Sequence, residues 1–225
     1  MANKRSYEDA CGAARALDLI GERWALLVVR ELLLGPKRFT DLRSGLPGIS
    51  PNVLTQRLTE LEEDGIIARR KLPPPAGSWV YELTQWGIEL GPIVMDLGRW
   101  GARSPVLGHH TGLSPDAMAI SLRTMFDAAA SKKAKAKGRF ELRFGDDVYH
   151  AEIDGALFEI ARGPSADPDA VITTAPPIVA GLVYFGLDAD QLIREGSLTV
   201  AGSRAAFDRF ITLFTLPEPV RQAVS

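Results

Sequence analysis

The segment from Ser50 to Gly65 constrains this chain more than any other. Ser50-Pro51 is a helix start, with Ser50 as N-cap and Pro51 at the first helical position, where a missing N–H is harmless. Along Asn52 to Asp64, Leu54, Leu58 and Leu61 recur at spacings of four and three and predict a buried face. Asn52, Thr55, Gln56 and Thr59 fall on the opposite face. A surface helix ordinarily carries Lys and Glu there. Short uncharged amides and hydroxyls suit instead a major groove, where base edges offer hydrogen-bond partners. Gly65 then closes the helix.

The flanking residues extend this pattern. Ala13 to Leu34 predicts one helix with Gly21 as a weak point and Trp24, Leu27, Val28 and Leu32 on its buried face, ended by Gly35-Pro36. Phe39, Leu42 and Leu46 mark a short helix before the Pro47-Gly48 turn. Two short helices joined by a tight turn, the second with a polar face, form a helix-turn-helix. Ile66 to Leu72 and Trp79 to Leu83 read as strands around the stiff tip Pro73-Pro74-Pro75-Ala76-Gly77-Ser78. With Arg69, Arg70 and Lys71 at its base, this hairpin reads as a wing placed against phosphate or an adjacent minor groove. The expected DNA-binding set is Arg38, Arg43, Ser50, Asn52, Thr55, Gln56, Arg57, Thr59, Arg69, Arg70, Lys71 and Ser78. Arg57 lies nearer the leucine face than the polar one, and it either bonds a phosphate or pairs with Glu60 at i+3.

Thr84 can cap a final helix, Gln85 to Gly101, in which Trp86, Leu90, Ile93, Leu97 and Trp100 recur at spacings of 4, 3, 4 and 3. Such a seam either packs into its own chain's core or pairs with a second subunit. The segment 104–113 contains Pro105, Gly108 and Gly112 without periodicity and reads as a linker. This gives a DNA-binding domain over 1–103 and a second domain over 114–225.

Charge agrees with that division. The whole chain is at −2, which excludes a broadly basic nucleic-acid binder but not a local basic patch. Residues 1–105 hold 14 Lys+Arg against 13 Asp+Glu, and residues 106–225 hold 12 against 15. Affinity for phosphate is therefore expected in the first half. No apolar run reaches the ~18 residues that span a bilayer, and the polar N-terminus carries no apolar signal region. Cys11 is the single cysteine, so no internal disulfide can form. These features point to the cytoplasm and away from membranes.

The second half reads as α+β. Met118, Leu122, Met125, Phe126 and Ala129 make an amphipathic helix that begins at Ser114-Pro115 and runs to about Ser131. Arg139 to Phe144, Val148 to Ile153, Leu157 to Ala161, Ala170 to Thr174 and Leu198 to Val200 read as strands, with Asp154-Gly155 as a hairpin signal. Pro177 to Phe185, Ala189 to Glu195 and Ser203 to Phe214 read as helices. The expectation is a mainly antiparallel sheet. Lys132, Lys133, Lys135 and Lys137 read as a solvated helix end, with phosphate binding the minor alternative.

No nucleophile elbow, P-loop or dinucleotide fingerprint appears, and the three histidines, His109, His110 and His150, have no metal-ligand spacing. Neither an enzyme nor a metal or other cofactor is expected.

Two stretches carry family likenesses. Ala16-Leu17-Asp18-Leu19-Ile20-Gly21 with Trp24, Arg30-Glu31-Leu32, Gly35-Pro36, Arg38 to Arg43, Leu46-Pro47-Gly48-Ile49-Ser50, Val53 to Leu58 and Leu61 to Gly65 resemble the HxlR family of bacterial winged-helix regulators. The resemblance covers roughly Cys11 to Gly101 and implies a homodimer on a pseudo-palindromic operator in double-stranded DNA. Cys11 stands where many members carry a cysteine. By that likeness it is a sensor of oxidants or electrophiles, and by composition a small buried apolar residue. From Ile153 to Phe214, Asp154-Gly155, Asp169 to Thr174, Ala180-Gly181-Leu182, Asp188 to Leu192 and Glu195 to Gly202 resemble the sterol carrier protein fold. That likeness implies an apolar cavity for a hydrophobic effector, with Met118, Leu122, Phe126, Tyr184, Phe185, Phe210 and Phe214 as its lining or, alternatively, as solid core. The expected function is a ligand-responsive transcriptional regulator. The alternative is a lipid carrier whose first domain serves mainly to dimerise.

Overall fold

The computed structural model describes residues 6–105 and 112–220. The chain forms two compact units, one up to Val94 and one from Met95. Of the expected linker, residues 106–111 lie outside the described ones, and so do His109 and His110.

The first unit contains α1 (Gly12–Ile20), α2 (Ala25–Leu32), α3 (Phe39–Gly45), α4 (Pro51–Glu63), strands β1 (Ile67–Lys71) and β2 (Trp79–Leu83), α5 (Gln85–Ile88) and the first part of α6 (Leu90–Gly101). Two helices expected to be continuous are broken. The first splits between Gly21 and Trp24, where Trp24 adopts a left-handed conformation (φ 81°) as N-cap of α2. The break resets the helical phase. Ala25, Val28, Val29 and Leu32 become the buried face of α2, and Leu27, expected inside, is 40% exposed. The helix after the wing breaks at Glu89 into α5 and α6. Pro92 is the cause, because it has no N–H for the carbonyl of Ile88 and its ring crowds that carbonyl.

The core of this unit is built from α2, α3 and α4: Val28, Val29 and Leu32 meet Leu42 and Leu46, and Leu54, Leu58 and Leu61 close over them with Ile66 and Ile67. β1 and β2 pair antiparallel, from Ile67↔Leu83 to Lys71↔Trp79. A bridge between Lys37 and Tyr81 adds a short third edge, with N–H···O distances of 2.9 and 2.8 Å.

The second unit contains α7 (Pro115–Met125), α8 (Ala128–Lys133), β3 (Lys137–Phe144), β4 (Asp147–Asp154), β5 (Leu157–Arg162), β6 (Ala170–Thr174), α9 (Pro176–Phe185), α10 (Ala189–Arg194), β7 (Leu198–Gly202) and α11 (Arg204–Ile211). The sheet order is β5-β4-β3-β6-β7. It is mixed rather than mainly antiparallel, because β6 runs parallel to β3 at its centre (Phe140↔Ala170 to Arg143↔Thr173). Residues 163–169 carry the chain back along the sheet from edge strand β5, so β6 enters in the direction of β3. Strand periodicity shows which residues face the core but not which edge a strand joins. The helix expected to run from Ser114 to Ser131 is also interrupted, where Phe126 bridges to Phe214 and Asp127 caps α8. Among the described residues no helix is long and apolar enough to cross a membrane.

Candidate nucleic-acid interface

The turn between α3 and α4 is held by local chemistry. Asp41 accepts the N–H of Arg38 (3.2 Å) at the start of α3. Gly48 supplies a positive φ of 90° that a side chain would strain, and Ile49 N–H bonds back to the Leu46 carbonyl (3.1 Å). Ser50 Oγ accepts from Val53 N–H (3.3 Å), so α4 begins where the capping signal places it.

On α4, Asn52, Thr55, Gln56 and Thr59 are all exposed and share one face. Their neighbours fix how they are presented. Thr55 donates its hydroxyl to the Pro51 carbonyl (2.9 Å), and Thr59 donates to the Thr55 carbonyl (3.1 Å). Gln56 Nε2 donates to Glu60 (2.9 Å). The other oxygen of Glu60 takes Arg57, whose guanidinium also lies 3.6 Å from Glu22. Arg57 is buried, so of its two readings the pair with Glu60 is the one formed; its Nε is enclosed without a hydrogen-bond partner. The spacing of Arg57 and Gln56 to Glu60 was visible in the sequence. The contribution of Glu22 was not, since it comes from the loop between α1 and α2.

Arg38 at the N-cap of α3, Arg43 on that helix, Ser50 at the cap of α4, and Arg69, Arg70 and Lys71 on β1 are exposed, while Ser78 is half-buried. The basic residues of the wing differ in their surroundings. Arg69 lies over Trp79 (4.6 Å to the ring centroid) and Tyr81 (5.8 Å), so its planar guanidinium is held against aromatic faces. Arg70 is paired with Glu82 at 2.7 Å. At the tip, Leu72 N–H bonds to the Ser78 carbonyl (2.8 Å) and Ser78 Oγ to the Ala76 carbonyl (2.9 Å).

One polar group that the sequence reading missed sits beneath this surface. Glu31 of α2 is fully buried and accepts from Lys37 (2.5 Å) and Arg30 (2.9 Å). Lys37 also forms the backbone bridge to Tyr81, so the ion pair joins α2 to the wing sheet. Gly45 makes room for it: a Cβ there would stand 2.2 Å from a Glu31 oxygen. A separation of six residues is no helical pairing distance, so only the tertiary fold reveals the pair.

The apolar seam stays largely outside the core, and of its five residues only Leu90 packs against the core cluster. Trp86, Ile93, Leu97 and Trp100 are between 46% and 76% exposed, and Leu90 is half-buried. Trp86, Leu90 and Ile93 line an apolar concavity of about 180 Å³ together with Ala16, Leu19, Ile20 and Ile66. Cys11, the N-cap of α1, is exposed rather than buried, and the backbone N–H groups of Ala13 and Ala14 lower its thiol pKa.

In the second unit the expected lining residues fill space against one another. Met118, Leu122, Phe210 and Phe214 are buried; Phe126 stacks on Phe158 (5.1 Å), and Phe214 meets both Phe158 and Phe210 edge-on (5.3 and 5.0 Å). Tyr184 shares a hydrogen bond with Ser121 (2.9 Å), and burial pushes its hydroxyl up to about 12. Phe185 points outward, 65% exposed. Among the described residues no group of three or more His, Cys, Asp or Glu side chains is placed to hold a metal.

A capped second helix with a polar outer face, a tight glycine turn before it and a basic two-stranded hairpin after it define a winged helix-turn-helix. The model of the family described as "HxlR-like helix-turn-helix" matches residues 19–105. The transcriptional regulator YvaP of Bacillus subtilis is 37% identical over 86 residues, 38% of this chain and 80% of that one. The regulators YdeP and YodB of the same organism are 35% identical over 98 residues (42% and 74% of the two chains) and 36% identical over 85 residues (38% and 76%). This chain belongs to the HxlR-like helix-turn-helix family. The matched region ends at residue 105, so most of the second unit lies outside it.

Proposed function

We propose that this protein is a transcriptional regulator that binds operator DNA through its winged helix-turn-helix, with no catalytic activity of its own. The relatives named above are transcriptional regulators, not enzymes. The observation that carries the reading is α4: three core leucines on one side and an exposed, uncharged polar face on the other, in a chain of this family. Asn52, Thr55, Gln56 and Thr59 face base edges. Arg38, Arg43, Ser50, Arg69, Arg70, Lys71 and Ser78 hold phosphate, and Arg57 braces the helix from inside.

The working form is a homodimer. The exposed apolar stripe of α5 and α6 and the concavity beside α1 support it, since solvated Trp and Leu at seam spacing leave a large apolar surface unburied in one chain. The second unit remains, in our reading, sterol-carrier-like, supported by the α9–α10 connection between β6 and β7 and the glycine hairpin after Asp154. A hydrophobic effector, and equally the carrier alternative, finds no support in the packed Phe126, Phe210 and Phe214, and the regulator reading needs neither.

The test is selection of bound sequences from a random duplex library by the full chain at near-physiological salt. A palindromic motif is expected, and the T55A/Q56A double variant should fail to enrich it. No enriched sequence would sink the regulator reading.

A further inference from the structure

We infer that the middle of the reading helix recognises DNA as a hydrogen-bond acceptor, selecting the exocyclic amino groups of adenine or cytosine and the methyl group of thymine over the acceptor edge of guanine. This rests on the regulator reading and deepens it.

Thr55 and Thr59 of the exposed face have already placed their only donors, and Gln56 has placed one of its two. Thr55 and Thr59 give their hydroxyl hydrogens to carbonyls one turn back, at 2.9 and 3.1 Å. Each can face outward only with an oxygen lone pair and a methyl group. Gln56 is held by Glu60. A carboxylate can only accept, so the atom of Gln56 at 2.9 Å must be its nitrogen; one of its two N–H groups is thereby committed, while its carbonyl oxygen is left wholly free. Glu60 is itself fixed, because Arg57, buried and tethered also to Glu22, occupies its second oxygen. The exposed Glu63 lies one turn beyond Thr59 on the same face and adds further acceptors.

The major-groove code converts this into a preference. Adenine N6 and cytosine N4 are the donors there, the thymine methyl is the apolar feature, and guanine offers only acceptors. A face on which acceptors and methyls outnumber donors therefore favours amino groups and thymine methyls, and its threonines meet guanine N7 and O6 with like against like. Asn52 differs: among the described residues its amide makes no hydrogen bond, so it retains both of its donors and its acceptor. Glu60 is thus a positioning residue, setting which end of Gln56 the DNA meets.

The experiment uses the full chain and the operator selected above. Each base of one half-site is replaced in turn: adenine by purine, which lacks the amino group; thymine by uracil, which lacks the methyl; guanine by 7-deazaguanine, which lacks N7. Loss of about ten-fold or more in affinity is expected at one or more adenine positions, or at cytosines replaced by a base lacking the amino group, and a smaller loss at thymine. Deazaguanine should matter only at a base lost also by Asn52→Ala. Thr55→Val keeps the methyls and removes the acceptor, while Thr55→Ser does the reverse. Both are surface changes that leave the core intact. The valine variant should no longer distinguish adenine from purine at its base pair, and the serine variant should no longer distinguish thymine from uracil. Strong dependence on guanine N7 that survives Asn52→Ala, or unchanged discrimination by both threonine variants, overturns the inference while leaving the regulator reading standing. Failure to select any operator overturns both.

Discussion

Glu141 is a carboxylate on β3 with only 3% of its surface exposed, and it remains charged because its partners are donors. Ser165 N–H reaches one oxygen at 2.8 Å and Arg143 Nε the other at 2.7 Å. The backbone bond from Ser165 holds the carboxyl below its ordinary value of 4.5, against the opposing effect of burial, and Arg143 adds to the lowering. The folded state therefore binds fewer protons than the unfolded chain. The resulting stability is fully present above the unfolded pKa and is lost as pH falls through the lower folded one. Glu141→Gln turns one acceptor into an amide N–H₂ that faces a donor. At neutral pH it should cost about 1–3 kcal/mol, read by urea unfolding, and the gap to the parent should narrow steadily below about pH 4.5. A gap that stays constant with pH would show that the lost charge is not its origin. The sequence gives no hint of this residue, because Ser165 meets it only through the crossover between β5 and β6.

At the scale of elements, the wing separates charge that is available from charge that is already committed. Arg70 has Glu82 at 2.7 Å, whereas Arg69 lies on Trp79 and Lys71 is exposed. Arg69→Ala and Lys71→Ala should each reduce the slope of log affinity against log salt by about one, as loss of one phosphate contact does. Arg70→Ala should reduce it less, since its guanidinium is already shared with Glu82 and reaches phosphate less fully; equal effects from all three would show that the Glu82 pair opens on DNA. The helix-turn-helix and the hairpin were legible because their signals are local: the cap at Ser50, the glycine at 48 and the leucine spacing of α4 act within a few residues. The helix breaks were half legible. Gly21 marked a weak point, but the left-handed Trp24 that resets α2 is a tertiary choice. Pro92 was in plain view and explains the interruption at Glu89, yet the unbroken seam spacing masked it. The parallel pairing of β3 with β6 was not legible at all, since strand direction depends on a seven-residue crossover with no pattern of its own.

For the whole molecule, the apolar stripe and the reading face make one argument. A single α4 spans only part of one half-site, and two reading helices must meet successive major grooves about 34–36 Å apart to read a palindrome. Something must fix that spacing, and the exposed Ile93 and Leu97 lie on the helix that follows the wing, where a second copy can cover them. Placing a charge in such a seam makes pairing costly without disturbing side chains that already face solvent in the single chain. The double variant I93D/L97D should therefore sediment as a folded monomer with unchanged circular dichroism. Its affinity for one half-site should stay within a few-fold of the parent. Its affinity for the full palindrome should fall by about 10²–10⁴, because the second contact loses its effective concentration. A variant that remains dimeric, or a monomer that still holds the full site as tightly as the parent, would place the two-fold contact elsewhere and remove α6 from operator recognition.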